Sequence, residues 1–285
     1  MAFDVQTFLT RLGSAAIFSA VVLGCLLWNE WAFLGLFFIV NVLCLREYAS
    51  IVEQILQTTF TRQEKTNFTA AGMAVYIFVS SWPFNLCDNS VAQVLARFQF
   101  QFLGLIIGFL MLFFFFRKNK KAIYLLTGLT YVSVALGLLV QLRFQSLLLP
   151  VMLILFIWMN DTMAYLTGSF IGRTKFFPTI SPKKTVEGTL GGVVFTMAFA
   201  YVWGSNTALF PVWQWIVIGL IASITGTIGD LVESKLKRMA GIKDSGNLMP
   251  GHGGALDRFD SLLFAAPFAF LFALIFMACL QLHVF

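Results

Sequence analysis

The run SKLKRMAGIKDSGNLMPGHGGALDRFD, Ser234 to Asp260, decides how this chain is read. It is a long polar interruption between two oily stretches. It carries Lys235, Lys237, Arg238, Lys243 and Arg258 together with Asp244, Asp257 and Asp260, and one of the chain's two histidines. Charge close to a bilayer is costly, so a cluster of both signs there points to function.

Outward from this run the chain is hydrophobic. Of 285 residues, 59% are hydrophobic and only 11% charged, with 33 phenylalanines. A soluble domain carries about 25% charged residues. Repeated apolar runs approach the length that crosses a bilayer, about 20 residues, which predicts an all-α, polytopic membrane protein. Nine spans are expected, roughly 12–28, 31–45, 69–84, 100–116, 122–140, 147–168, 188–204, 211–229 and 260–281. The stretch from Leu12 lacks a small-residue cleavage site and reads as a first span, not a signal peptide. Cys25, Cys44, Cys87 and Cys279 have no metal-like spacing, so neither a metal site nor a disulfide framework is expected from them.

The net charge is +6. Orientation in the membrane accounts for it, so nucleic acid is not expected as a partner. Placed on the nine spans, every Lys and Arg falls on one side except Arg97 and Arg143. The positive-inside rule then puts the N-terminus in the cytoplasm and the C-terminus outside. The polar stretch faces the cytoplasm, where nucleotide and Mg²⁺ are available. Three regions follow: N-terminal helices over 1–99, a middle pair over 100–146 whose glycines suit contacts in a dimer, and a catalytic region over 147–285.

Four carboxylates stand out. Asp161 lies inside the sixth span, in WMNDTMAY. Asp230 closes the eighth, after TGTIG. Asp257 and Asp260 open the ninth, three residues apart and so on one helical face. All four are expected at one depth. Clustered acids repel unless a cation intervenes, and hard oxygen ligands suit Mg²⁺. The alternative is helix-end ion pairing with Lys237, Arg238 and Arg258.

Lys237, Arg238 and Lys243 precede a turn, Pro250 to Gly254, whose Gly253 and Gly254 let backbone N–H groups approach an anion. A second patch, SPKKTVEG, starts at Ser181. In it Lys183 and Lys184 are anion contacts or lipid anchors, and Thr185 caps the next helix and turns its N–H groups toward phosphate. His252 reads as a phosphate donor, a proton carrier or a turn residue. No GxxxxGK[ST] loop is present.

The stretch resembles the C-terminal motif of the phosphatidate cytidylyltransferases, also called CDP-diacylglycerol synthases. That motif runs Ser-x-hydrophobic-Lys-Arg, then Lys-Asp, then Pro/Gly-x-His-Gly-Gly, then Asp-Arg-hydrophobic-Asp. Ser234, Leu236, Lys237, Arg238, Lys243, Asp244, Pro250, His252, Gly253, Gly254, Asp257, Arg258, Phe259 and Asp260 fill it at the right spacing. Similarity extends over roughly 155–265, through NDTMAYLTGSFIG, SPKKTVEGTLGG and GDLVESKLKR.

The compact length without a long cytosolic extension points to a bacterial inner membrane. The resemblance implies transfer of CMP from CTP to phosphatidic acid, Mg²⁺ held by Asp230, Asp257 and Asp260, a second cation such as K⁺, and a homodimer. It adds Asp161, Asp244, Lys237, Arg238, His252 and Arg258 as catalytic candidates. Ser181, Lys183, Lys184, Thr185, Ser234, Lys243, Gly253 and Gly254 are the substrate-binding candidates. A phosphate monoester is largely deprotonated near neutral pH, its second pKa being about 6, so no strong base is required and positioning should carry the rate. A transporter and a CTP-dependent lipid kinase are the rival readings.

A single cysteine placed in this stretch, as Ser245→Cys, is expected to be shielded from membrane-impermeant thiol reagents in intact cells. Labelling from outside would reverse the orientation.

Overall fold

The structure is a computed structural model that describes residues 5–81, 118–248 and 253–277, with the side chains of 5–12, 15 and 277 excepted. Eight helices are described. They are α1 Val5–Trp28, α2 Glu30–Leu56, α3 Arg62–Ser80, α4 Lys120–Gln145, α5 Leu148–Ile171, α6 Val186–Ser205, α7 Val212–Met239 and α8 Leu256–Phe272. A π-helical turn, Leu129–Val134, interrupts α4, and another, Ala273–Met277, continues α8.

Local chemistry explains where the helices begin. Asn29 Oδ1 accepts from the Ala32 N–H at 2.7 Å and starts α2. Thr61 and Glu64 form a reciprocal capping box at α3. Asn119 caps α4, and Pro211 stands before α7, where a missing N–H costs nothing.

Six helices, α2 and α4 to α8, are long and apolar enough to cross a membrane. The expectation of nine spans is not matched among the described residues. α1 covers the first expected span, and its continuous run of described apolar positions is Ala16–Trp28. α3 opens with the polar run Arg62 to Asn67. The expected span 100–116 lies outside the described residues, as does His252. Apolar side chains such as Phe170, Leu190, Val194 and Val202 face outward, which suits a lipid-facing surface.

The all-α expectation needs one correction. Between α5 and α6 the chain forms an antiparallel hairpin, β1 Lys175–Phe177 and β2 Ser181–Thr185, with Lys175 opposite Thr185 and Phe177 opposite Ser181. The Val186 N–H donates to the Thr174 carbonyl at 2.9 Å, so the ribbon runs directly into α6.

A second correction concerns α7. It was expected to end at residue 229 and continues to Met239. Glu233 and Lys237 are four apart and paired at 2.6 Å, and basic residues occupy the last turn. Both favour continued helix.

Polar contacts are sorted by end. Lys121 pairs with Glu64, Lys65 with Glu53 and Lys184 with Asp230 at the end where α3 and α4 begin and α7 stops. At the other end Arg143 lies 3.7 Å from Glu30 and donates to the Leu26 carbonyl at 2.9 Å. Between them lies an apolar core in which Trp215, Phe156, Phe270 and Tyr76 are fully buried.

Candidate active site

The site forms where α7 crosses α8. A Cβ on Gly229 would run into the Asp260 carbonyl and the Ser261 Cα, so only glycine permits this approach. The crossing brings Asp230 of α7 beside Asp260 of α8. Asp230 is paired with Lys184 and accepts from Ser234 Oγ at 3.2 Å. Asp260 accepts from the Ser261 N–H at 2.6 Å.

Two cavities open here. One, of about 610 Å³, lies among α5, the hairpin, α6 and α7. Lys175, Lys183, Lys184, Ser181 and Thr185 line it, with Asp161 and Asp230. Thr185 Oγ1 accepts from the Gly188 N–H at 3.1 Å, the cap expected from sequence. The Glu187 carboxylate accepts from the backbone N–H groups of Arg173 and Thr174 at 3.1 Å and pins the hairpin to α6. The other cavity, of about 240 Å³, lies among α1, α5 and α8. Phe18, Val22, Ile154, Ile157 and Trp158 give it an apolar wall, and Asp161, Arg258 and Asp260 a polar one. Asp161 lines both.

Asp257, which also lines this second cavity, is bound into the loop before α8. Its Oδ1 is 2.6 Å from Lys237 Nζ. Its Oδ2 accepts from the Ser245 N–H at 2.9 Å and the Gly254 N–H at 2.8 Å, with Ser245 Oγ at 3.0 Å. Gly253, at a φ of 80°, makes the turn that directs the Gly254 N–H to this carboxylate. Lys237 also pairs with Glu233, which is wholly buried.

Glu47 of α2 closes the same loop from the far half of the chain. It accepts from the Ala255 and Leu256 N–H groups, each at 2.8 Å, and lies 2.7 Å from Ser245 Oγ. Two otherwise orphaned donors at the start of α8 are thereby satisfied.

The structure divides the residues read from the sequence. Asp161, Asp230, Asp257 and Asp260 line the two cavities, with Lys183, Lys184, Ser181, Thr185 and Arg258. Asp257 is in addition held by the loop, and Lys237 is committed to two carboxylates. Among the described residues no group of three or more His, Cys, Asp or Glu is arranged to hold a metal. The Gly254 N–H, expected to face an anion, serves Asp257 instead. Arg238 donates to the Ile242 carbonyl at 3.0 Å. Lys243 and Asp244 are exposed, with no ion pair among the described residues. Ser245 is buried, so a topology reporter belongs at exposed Asp244.

Glu47 and Glu233 were not singled out from the sequence. Glu233 carried a signal, its place four residues before Lys237. Glu47 carried only the general one, an acid at the end of an apolar run.

Residues 9–276 match the model of the cytidylyltransferase family. The chain belongs to that family. Among its relatives, the phosphatidate cytidylyltransferases of Staphylococcus saprophyticus and Staphylococcus aureus are 41% identical to it over 158 residues, 53% of this chain and 60% of theirs. That of Staphylococcus epidermidis is 37% identical over 155 residues, with the same coverage. The chain thus spans 60% of the length of these relatives.

Two substitutions rank the two halves of the loop network. Lys237→Met leaves two carboxylates without their cation, a loss of about 3–5 kcal/mol. Glu47→Ala leaves buried N–H groups unsatisfied, at about 1–3 kcal/mol. Thermal unfolding in detergent should show both variants below wild type and Lys237→Met the lower. A wild-type Tm for Lys237→Met would remove the ion cluster from the account.

Proposed function

We propose that this protein transfers CMP from CTP to phosphatidic acid, giving CDP-diacylglycerol and pyrophosphate. The observation that carries the reading is the meeting of two unlike cavities at Asp161. One is lined by lysines and suits a nucleotide polyphosphate. The other pairs an apolar wall with Arg258 and suits a lipid whose phosphate lies at the membrane surface. Family membership and the names of the relatives support the same reaction.

In this reading Lys175, Lys183 and Lys184 face the phosphates of CTP, and Arg258 faces the lipid phosphate. A lipid phosphate oxygen bonds to the α-phosphorus. The bond from that phosphorus to the oxygen bridging to the β-phosphate breaks, and pyrophosphate leaves with the electron pair. The fixed cations offset the repulsion between the two anions and the charge gathering on the leaving group. The apolar wall of Phe18, Ile154 and Trp158 takes the glycerol and upper acyl portions of the lipid and excludes water, which would otherwise compete for the nucleotide.

Mg²⁺ is usually held by one or two carboxylates, with waters and substrate phosphates completing its shell. Asp230 and Asp260, side by side at the Gly229 crossing, fit that donor set. Asp257 fits it less well, because it already holds Lys237 and three loop donors, whereas Asp230 has one cation and one hydroxyl and Asp260 one backbone N–H. When bound, Mg²⁺ would supply charge neutralisation on the phosphates. K⁺ as a second cation, a homodimer, and a bacterial inner membrane with the site on the cytoplasmic face complete the proposal. The Lys and Arg asymmetry and the bacterial relatives support the placement. A transporter fits less well, because the polar side chains lining these cavities gather at one end of the bundle.

Purified protein given Mg²⁺, phosphatidic acid and CTP should form CDP-diacylglycerol and pyrophosphate in equal amounts. Asp260→Asn should lower turnover by about 10²-fold or more while leaving the Tm unchanged. Consumption of CTP without a cytidylylated lipid would reject the reaction, and full turnover in Asp260→Asn would reject the role given to that acid.

A further inference from the structure

A third cavity, of about 770 Å³, lies between α2 and α3, built from none of the residues of the site described above. Its volume falls within the range of small-molecule sites, about 300–1,000 Å³. The two helices are consecutive and antiparallel, so the lining is graded with depth. Arg62 and Lys65 stand at the end where α3 begins, while Arg46 lies ten residues before the end of α2, at the level of Ala70 and Met73, since Leu45 packs beside Gly72. Val42 lies one turn deeper on α2. A cationic edge thus runs inward from Arg62 to Arg46 beside the apolar side chains of Ala70, Met73 and Val42.

The charges at the mouth do not cancel. Glu53 is taken by Lys65 at 2.7 Å and by the Phe60 N–H. Glu64 is taken by Lys121 and by the Thr61 N–H at 2.8 Å. Arg46 and Arg62 have no acid partner among the described residues and are both exposed. The Ser50 and Thr66 hydroxyls donate to the backbone carbonyls of Arg46 and Arg62. The N-terminus of α3 is closed by its own capping box, so attraction for an anion rests with the guanidinium groups.

We propose that this groove binds an anionic phospholipid, its phosphodiester held between Arg62 at the mouth and Arg46 reaching up from further in, and an acyl chain continuing past Ala70 and Met73 toward Val42. Guanidinium forks match phosphate oxygens in geometry as well as charge. The apolar depth favours a lipid over a soluble phosphate, which would leave that surface unfilled. The site is separate from the cavity assigned to phosphatidic acid, and it stands whether or not the proposed reaction is correct.

The test is native mass spectrometry of the detergent-purified protein titrated with phosphatidylglycerol, with phosphatidylcholine of the same acyl chains, or with inorganic phosphate. Wild type should retain phosphatidylglycerol in preference to phosphatidylcholine and gain no phosphate adduct. The double variant Arg46→Gln with Arg62→Gln should bind phosphatidylglycerol roughly tenfold or more weakly. Lys118→Gln with Lys120→Gln, which removes as much exposed charge at the same end, should bind it as wild type does. Equal retention of the two lipids by wild type would overturn the proposal without any variant. So would undiminished binding in the arginine variant, an equal loss in the lysine variant, or displacement of the lipid by phosphate.

Discussion

A carboxylate buried at the end of a membrane helix bundle must find donors, and Asp257 finds them in the loop that precedes it. Lys237, the Ser245 and Gly254 N–H groups and the Ser245 hydroxyl all converge on it. That convergence folds the chain between α7 and α8 back onto the bundle. Glu47 makes the same demand from α2 and draws on the same loop. Two acids some two hundred residues apart thus clamp one connection. Because they hold the start of α8, Asp260 can sit one turn further along, beside Asp230, with fewer internal partners. The site is left open by the acids that close the loop.

This division was only partly legible in the sequence. Hydropathy made the membrane class plain, because long apolar runs have few other solutions. The cap at Thr185 was legible because it is local, a side chain bonding a backbone group three residues on. The spacing of Asp257 and Asp260 placed both near one helical face. It could not say which would be captured by the loop, since that depends on a turn at Gly253 and a lysine on another helix. Glu47 was hidden for the same reason: its partners lie in a distant segment. The hairpin at 175–185 was missed because strands this short carry no alternation to read. α7 outran its hydropathy because a paired Glu233 and Lys237 can extend a helix beyond its apolar part.

The two cavities that share Asp161 give the proposed chemistry its shape. A nucleotide is soluble and anionic; its lipid partner is anionic at one end and oily at the other. A site serving both needs fixed positive charge toward water, an apolar wall toward the bilayer, and a meeting point near the membrane surface. The hairpin supplies the first, α1 and α5 the second, and the Gly229 crossing the third. The proposed reaction needs no histidine among these residues, because a phosphate monoester attacking CTP would already be ionised and the work would be positioning and charge neutralisation.

The central claim is that the α-phosphorus of CTP is the atom transferred with its nucleoside. It is tested most directly by single-turnover reactions with CTP labelled either at the α-phosphate or at the γ-phosphate, with phosphatidic acid as acceptor. The account predicts α-label in the lipid product and γ-label in pyrophosphate. Recovery of γ-label in the lipid would contradict it and identify a kinase.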